Sequence, residues 1–421
     1  MYFCTFKTIT MNKLNSTLIL SAVVLFFASC ERILPQAPES SDTIAEPIDG
    51  LTPYQTAIFV EGDELFAKVF TPEEGLGPIY VQNACEGCHV GDGKGHPFNK
   101  ITRFGKYNSD GTFDYMIDKG GPQLQHRAIS NYLYESLPDD ATHTSDRIAP
   151  IVIGMGLLAA VDDQTLLDLA AEQNSNSEYG ISGRVNWIMP TDFFVPLAIH
   201  QENENGKYIG RFGKKASKVT LLDQVVFALK EDIGLTSDFD TEDPVNYAIG
   251  ANTPDGVPDP EVGSDVVNRL VFYMRTLKAP TRRNENDADV IAGDAIFNSV
   301  GCVKCHIQTL TTADSEIEAL SNKEFHPYTD LLLHDMGSLL DDNYPEGGAK
   351  EGEWRTPPLW GLGLADDSQG GTGYYLHDGR ATSLADAIRM HAYGEAAEVI
   401  VNYENLSSGD KDKLYAFLMS L

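Results

Sequence analysis

The sequence of 421 residues predicts a mainly α-helical protein of two domains, the first enlarged by a long insertion. Three observations predict it. At roughly 150 residues per domain the chain is too long for one small helical domain and long enough for two with cores of their own. Apolar residues recur at helical spacing in Val266–Leu277 and Lys413–Leu421, and again in Asp163–Glu172 and Leu221–Asp232. A Gly-Asp-x-x-Phe element occurs twice, in Glu61-Gly-Asp-Glu-Leu-Phe66 and in Ala292-Gly-Asp-Ala-Ile-Phe297, which marks an internal repeat.

The elements follow in order. Residues 1–30 hold a basic start, an apolar centre and the small residues Ala28 and Ser29 before Cys30, as in an export signal. That ending is similar to the lipobox of bacterial lipoproteins, which makes Met11 the expected start and Cys30 the expected site of lipidation. A secretory signal cut elsewhere is the alternative. Residues 31–51 are Pro-, Ser- and acid-rich and read as a flexible tether. The first domain is placed at 52–280, with an insertion at about 91–260 punctuated by Gly, Asp and Asn. A polar linker, Lys278–Asp287, leads to the second domain at 286–421, whose last helix is capped by Ser407-Ser408 and Asp410.

A formal charge of −31 excludes a nucleic-acid partner, because phosphate binding needs a clustered basic surface. The same acidity would steer a basic partner such as a small cationic electron carrier. Of the six cysteines, Cys4 leaves with the leader and Cys30 is taken by lipid. The other four are Cys85, Cys88, Cys302 and Cys305, so none remains for a structural disulfide.

Those four lie in two Cys-x-x-Cys-His motifs, Cys85–His89 and Cys302–His306. Two cysteines at this spacing reach the two vinyl groups of one haem, and the histidine that follows can turn its imidazole to the iron. The motifs therefore predict two covalently bound haem c groups, with His89 and His306 as proximal ligands. A four-cysteine zinc site or two redox dithiols are the competing readings, and neither explains both histidines. Cytochrome c domains resemble each half of this chain: a first helix with Gly and an aromatic residue, the haem motif after it, and a packed C-terminal helix.

The surrounding residues resemble the bacterial di-haem cytochrome c peroxidase superfamily over about 52–421, and more closely its branch of di-haem oxidoreductases, also called thiol oxidoreductases. The second half carries Arg355-Thr-Pro-Pro-Leu-Trp-Gly-Leu-Gly363, Tyr375-Leu-His-Asp-Gly-Arg-Ala381, Ser383-Leu-Ala-Asp-Ala-Ile-Arg-Met-His391 and Gly394-Glu-Ala396. The first half carries Gly121-Pro-Gln-Leu-Gln125, Gly180-Ile-Ser-Gly-Arg184 and Gly210-Arg-Phe-Gly-Lys-Lys-Ala216.

The resemblance implies one six-coordinate haem that stores an electron and one that opens a position for peroxide. It aligns His391 with the distal ligand of the C-terminal haem. Met390 is the alternative, since neighbours on a helix point about a quarter turn apart and only one can face the iron. His377 reads as a turn residue near a haem edge. Opposite His89 the candidates His96, His126 and His143 have no defensible spacing, so an open or water-bound position is expected. Over it the resemblance implies acid–base side chains, for which Gln123, Gln125 and Glu178 are the candidates. Arg184, Arg211 and Arg355 are candidates for the haem propionates. Trp187 is the candidate for a ring between the haems. A bridging calcium ion is usual in the peroxidases, but no ligand set for it is visible in the sequence.

The expected protein is thus a lipid-anchored, periplasm-facing oxidoreductase of the cell envelope that acts on hydrogen peroxide or another substrate. The alternative is an electron-transfer di-haem cytochrome with no substrate of its own.

Overall fold

A computed structural model describes residues 45–176, 180–247 and 255–421, so Cys30 and Glu178 lie outside the described residues. The described chain falls in one compact unit, Ser40–Leu421. Its first part holds α1 (Pro53–Ala67), α2 (Met155–Ala159), α3 (Asp163–Asn176), α4 (Leu221–Ala228) and α5 (Ser264–Thr276). The second holds α6 (Ala288–Val300), α7 (Ala365–Ser368), α8 (Leu384–Arg389), α9 (Ala397–Glu404) and α10 (Ser408–Ser420).

The repeated Gly-Asp-x-x-Phe element explains how the helices pair. In α1 a Cβ on Gly62 would stand 2.6 Å from the Tyr273 Cβ and 2.7 Å from the Arg269 carbonyl oxygen, both on α5. Only glycine allows that crossing. In α6 a Cβ on Gly293 would likewise meet Phe417 Cβ of α10 at 2.7 Å. One turn on, Phe66 packs on Tyr273 with centroids 5.4 Å apart and Phe297 on Phe417 at 5.2 Å. The same two phenylalanines lie 5.9 Å from the His89 ring and 6.5 Å from the His306 ring. Each element thus joins a helix crossing to the histidine of the motif that follows it.

Local sequence sets the helix ends. Thr52 and Gln55 form a capping box at α1, with Pro53 at the first helical position. Asp287 caps α6 and Ser407 caps α10, accepting from the Asp410 amide at 3.2 Å. The stretch read as one helix over Leu221–Asp232 is α4 followed by a π-helical turn, Leu229–Ile233, closed by Gly234 at φ 81°.

Eleven short strands among the described residues correct the expectation of a mainly α fold: helix accounts for 36% and strand for 14%. The largest sheet has three antiparallel strands, β3 (Phe113–Asp114), β2 (Ile101–Tyr107) and β5 (His143–Arg147), with Ile101 opposite Arg147 and Gly105 opposite His143. Four two-stranded ladders complete the set, among them β6 (Asn186–Ile188) with β7 (Tyr208–Gly210) and β10 (Leu333–Asp335) with β11 (Glu353–Arg355). Most of these strands have two or three residues, too few for an alternating pattern to register. They give the long connections a partner for buried backbone groups.

Candidate haem-binding cavity

Both Cys-x-x-Cys-His motifs adopt the same backbone. Cys85–Gly87 and Cys302–Lys304 are single 3₁₀ turns, and each motif histidine donates its amide to the carbonyl of the first cysteine at 3.0 Å. The turn sends both thiols and the imidazole to one side. One cavity of about 480 Å³ reaches both motifs and is lined by all four cysteines, His89, His306 and His391. Apolar side chains from the helix crossings finish its walls, Phe66 and Leu270 at one end, Phe297 and Leu414 at the other.

Burial pushes the thiols of Cys85, Cys88 and Cys302 up to about 12, and that of Cys305 up as well. Neutral buried thiols are poor redox nucleophiles, which goes against the dithiol reading. No three of the described cysteines bring their sulfurs within 4.8 Å of one another, as a four-cysteine zinc site requires.

The imidazoles suit an iron. Burial lowers His89 and His306 to about 4 and lowers His391, so the rings are neutral. His306 Nδ1 lies 2.9 Å from the Tyr328 carbonyl, and His391 Nδ1 lies 2.8 Å from the Ala387 carbonyl. A carbonyl only accepts, so Nδ1 carries the proton in both and Nε2 keeps its lone pair. Both rings line the same void. Met390 instead packs beside Tyr375, Ala381 and Ala387 and does not line the cavity. His89 Nδ1 is enclosed near the Pro150 carbonyl but outside hydrogen-bonding geometry. The residues present therefore fit two haems.

Other expected residues have different places. Gln123 and Gln125 are buried behind the wall rather than on it. Gln123 Nε2 donates to Asp232 Oδ1 at 2.6 Å and to the Glu231 carbonyl at 2.9 Å, and Gln125 Nε2 donates to Glu231 Oε2 at 3.0 Å. Through them the π-helical turn presents Asp232 to the cavity, where its charge acts on Cys85 and Cys88. Burial raises the Asp232 carboxyl above its ordinary range. Among the described histidines, His96, His126 and His143 stay off the cavity wall. His377 lines it, stacked on Trp354 with centroids 3.9 Å apart.

Arg355 lines the cavity, donating to the Gly213 and Thr356 carbonyls at 3.1 Å each. Arg211 does not. It is buried and donates to Asp163 and to the Leu158 and Val161 carbonyls, clamping the start of α3. Arg184 Nε donates to Glu353 Oε1 at 2.8 Å, tying the first half of the chain to β11. Trp187 pairs with Ile209 between β6 and β7, while Trp354 and Trp360 line the cavity.

Two sets of charged groups escape a reading of the sequence because no local motif marks them. His334 lies between Asp330, at 2.8 Å from Nε2, and Glu395, at 2.7 Å from Nδ1, and Cys305 Sγ is 3.7 Å from its Nδ1. Burial opposes a charge on this ring, but Asp330 outweighs it and holds His334 protonated. Gly183 closes on the same ring, with no room for a Cβ beside His334 Cε1 at 2.7 Å. The Gly-Ile-Ser-Gly-Arg and Gly-Glu-Ala segments thus converge there. The second set, away from the cavity, is Asp243, Asp255 and Glu261, with ligand oxygens within 4.8 Å of one another.

A chain with two such motifs on one apolar cavity is a haem protein of the di-haem class. The comparisons with known proteins agree: a family described as "di-haem oxidoreductase, putative peroxidase" matches residues 122–421, and the chain belongs to that family. The match takes in the second motif and begins after the first. A comparison with curated proteins gave no match. Among solved structures, a Kuenenia stuttgartiensis hydrazine synthase pressurized with 20 bar xenon is similar at 15% identity and a TM-score of 0.35, over 92% of this chain and 98% of that one.

Proposed function

We propose that the protein carries two haem c groups, thioether-linked at Cys85 and Cys88 and at Cys302 and Cys305, and works as a peroxidase-like oxidoreductase of the cell envelope. When bound, the haems would supply one-electron chemistry, the C-terminal one storing an electron and passing it to the N-terminal one, where hydrogen peroxide would be reduced or another substrate oxidised. The observation that carries this reading is the asymmetry of the shared cavity. His306 has a second neutral histidine, His391, on the cavity wall with it, whereas none of His96, His126 and His143 lies on that wall with His89.

The chain's own groups divide the work. His306 and His391 are the residues that would hold the C-terminal haem iron, each through its Nε2 atom. Peroxide cleavage needs a proton donor and acceptor within hydrogen-bond reach. Asp232 is the carboxyl that the fold offers near the first motif, with Gln123 Nε2 occupying Oδ1 and Oδ2 left to exchange a proton. Gln123 and Gln125 then act as positioning residues behind it. A small basic electron carrier would dock on the acidic surface, and a lipid on Cys30 would hold the protein at the membrane facing the periplasm.

Absorption and spin-resonance spectra of the oxidised and half-reduced protein test the reading. One low-spin and one high-spin haem, the latter binding cyanide or carbon monoxide, is the expected result. Two low-spin haems with no ligand binding would replace it with an electron carrier.

A further inference from the structure

The cavity wall carries more positive charge than the chain neutralises. Arg147 is served internally, meeting Asp342 and Glu346 at 2.9 Å each, while Lys215, off the wall, meets the same Asp342 at 2.9 Å. Five other cations line the same cavity. Lys94, Lys214, Lys218 and Arg355 have no carboxylate within 4.0 Å among the described residues, and Arg103 has only a Glu346 oxygen at 3.9 Å. Burial pushes Lys94 and Lys218 down to about 8, Arg355 to about 10 and Lys214 further below its ordinary value. Cations held against a cavity with no close carboxylate of their own suit an anion that arrives later.

Their placement says where the anions go. Lys218 Nζ and the Arg103 guanidinium sit over one ring, Phe227, at 3.8 and 4.7 Å. Arg103 acts on Asp232, the carboxyl beside Cys85 and Cys88, so this pair belongs to the first motif. Arg355 feels Asp330, whose partner His334 touches Cys305, so it belongs to the second. The Lys214 carbonyl accepts from the Arg355 amide at 3.1 Å while its charge acts on His89, and Lys94, five residues after His89, has its Nζ 5.7 Å from the Tyr375 ring of the second half, so both border the two motifs.

We propose that Arg103 with Lys218 anchors the propionate carboxylates of the N-terminal haem, that Arg355 anchors those of the C-terminal haem, and that Lys94 and Lys214 lie between and serve both. This rests on the two-haem reading above. It also accounts for the Gly210–Ala216 segment, in which Lys214 meets the prosthetic groups while Arg211, three residues earlier, only clamps α3.

Spectroelectrochemical titration of the full chain, with haem content measured first by pyridine haemochrome, tests the proposal. Removing a cation beside a propionate leaves the reduced, more negative haem less favoured. Lys218→Met is expected to lower the midpoint potential of the N-terminal haem alone, and Lys214→Met to lower both. Lys218→Arg is expected to restore the first. Propionate bending bands in resonance Raman spectra should shift in the same variants. Unchanged potentials and bands in a Lys218→Met protein that keeps both haems would overturn the proposal, and would mean that the cations wait for a substrate anion. A wild-type chain without two haems would instead strike at the reading beneath it.

Discussion

His306 and His391 use the same device: each spends its Nδ1 proton on a backbone carbonyl, Tyr328 or Ala387, and so fixes its ring and tautomer before any metal arrives. Such outer hydrogen bonds orient a ligand and raise its basicity. His391→Ala should therefore leave the C-terminal iron five-coordinate or water-bound, and the low-spin signal should fall. Met390 does not take over, because it packs in the Tyr375 and Ala381 cluster. An undiminished low-spin spectrum would move the ligand to another residue.

The proposed function gives each motif its own haem. Cys85→Ala and Cys302→Ala should each lose one covalent haem and keep the other, read by intact-protein mass and pyridine haemochrome. Two covalent haems in either variant would contradict the pairing of motif and haem.

The crossing of α1 with α5 leaves no space at Gly62. Overpacking of this kind costs about 1–3 kcal/mol, more where backbone must move. Gly62→Val is expected to lower the denaturation midpoint with no change in the spectrum of whatever folded protein remains. An unshifted midpoint would show that the helices can part freely.

Burial raises Glu135 from 4.5 to about 8 and Glu231 from 4.5 to about 7. The folded state then binds protons that the unfolded state has released. Stability from these groups is full below about pH 4.5 and is lost as pH rises to about 8, where Glu135 ionises in both states. Glu135→Gln should flatten the fall in stability between about pH 5 and 8, measured by urea unfolding at fixed salt. An equally steep fall in the variant would sink this account.

Cys30→Ala should release the protein from the membrane fraction, because one acylated cysteine is the anchor proposed. Retention at the membrane after the change would call for another anchor.

What was legible in the sequence is what repeats locally. The two haem motifs, the helix crossings at Gly62 and Gly293 and the cap at Ser407 each lie within a few residues of their own signal. The strands escaped notice because two- or three-residue ladders such as Leu333–Asp335 with Glu353–Arg355 draw on partners some twenty positions away. The roles of Gln123, Arg211 and Trp187 were hidden for a related reason. A polar residue in a family-like segment reads the same whether it faces the cavity or, like Gln123, holds the residue that does. Asp232 carried no local signal, since Gln123, which holds it, is 109 residues away, and His334 meets Cys305 and Glu395 across 29 and 61 residues.

One void serves both Cys-x-x-Cys-His turns, and that binds maturation of the two halves together. With a single prosthetic group in place, the remaining apolar walls around Phe66 or Phe297 would have neither protein nor porphyrin against them. Side chains facing such a gap lose their dispersion contacts and the backbone around them opens more often. A half-loaded chain is then the form more exposed to proteases and recovered in lower yield than the fully loaded one.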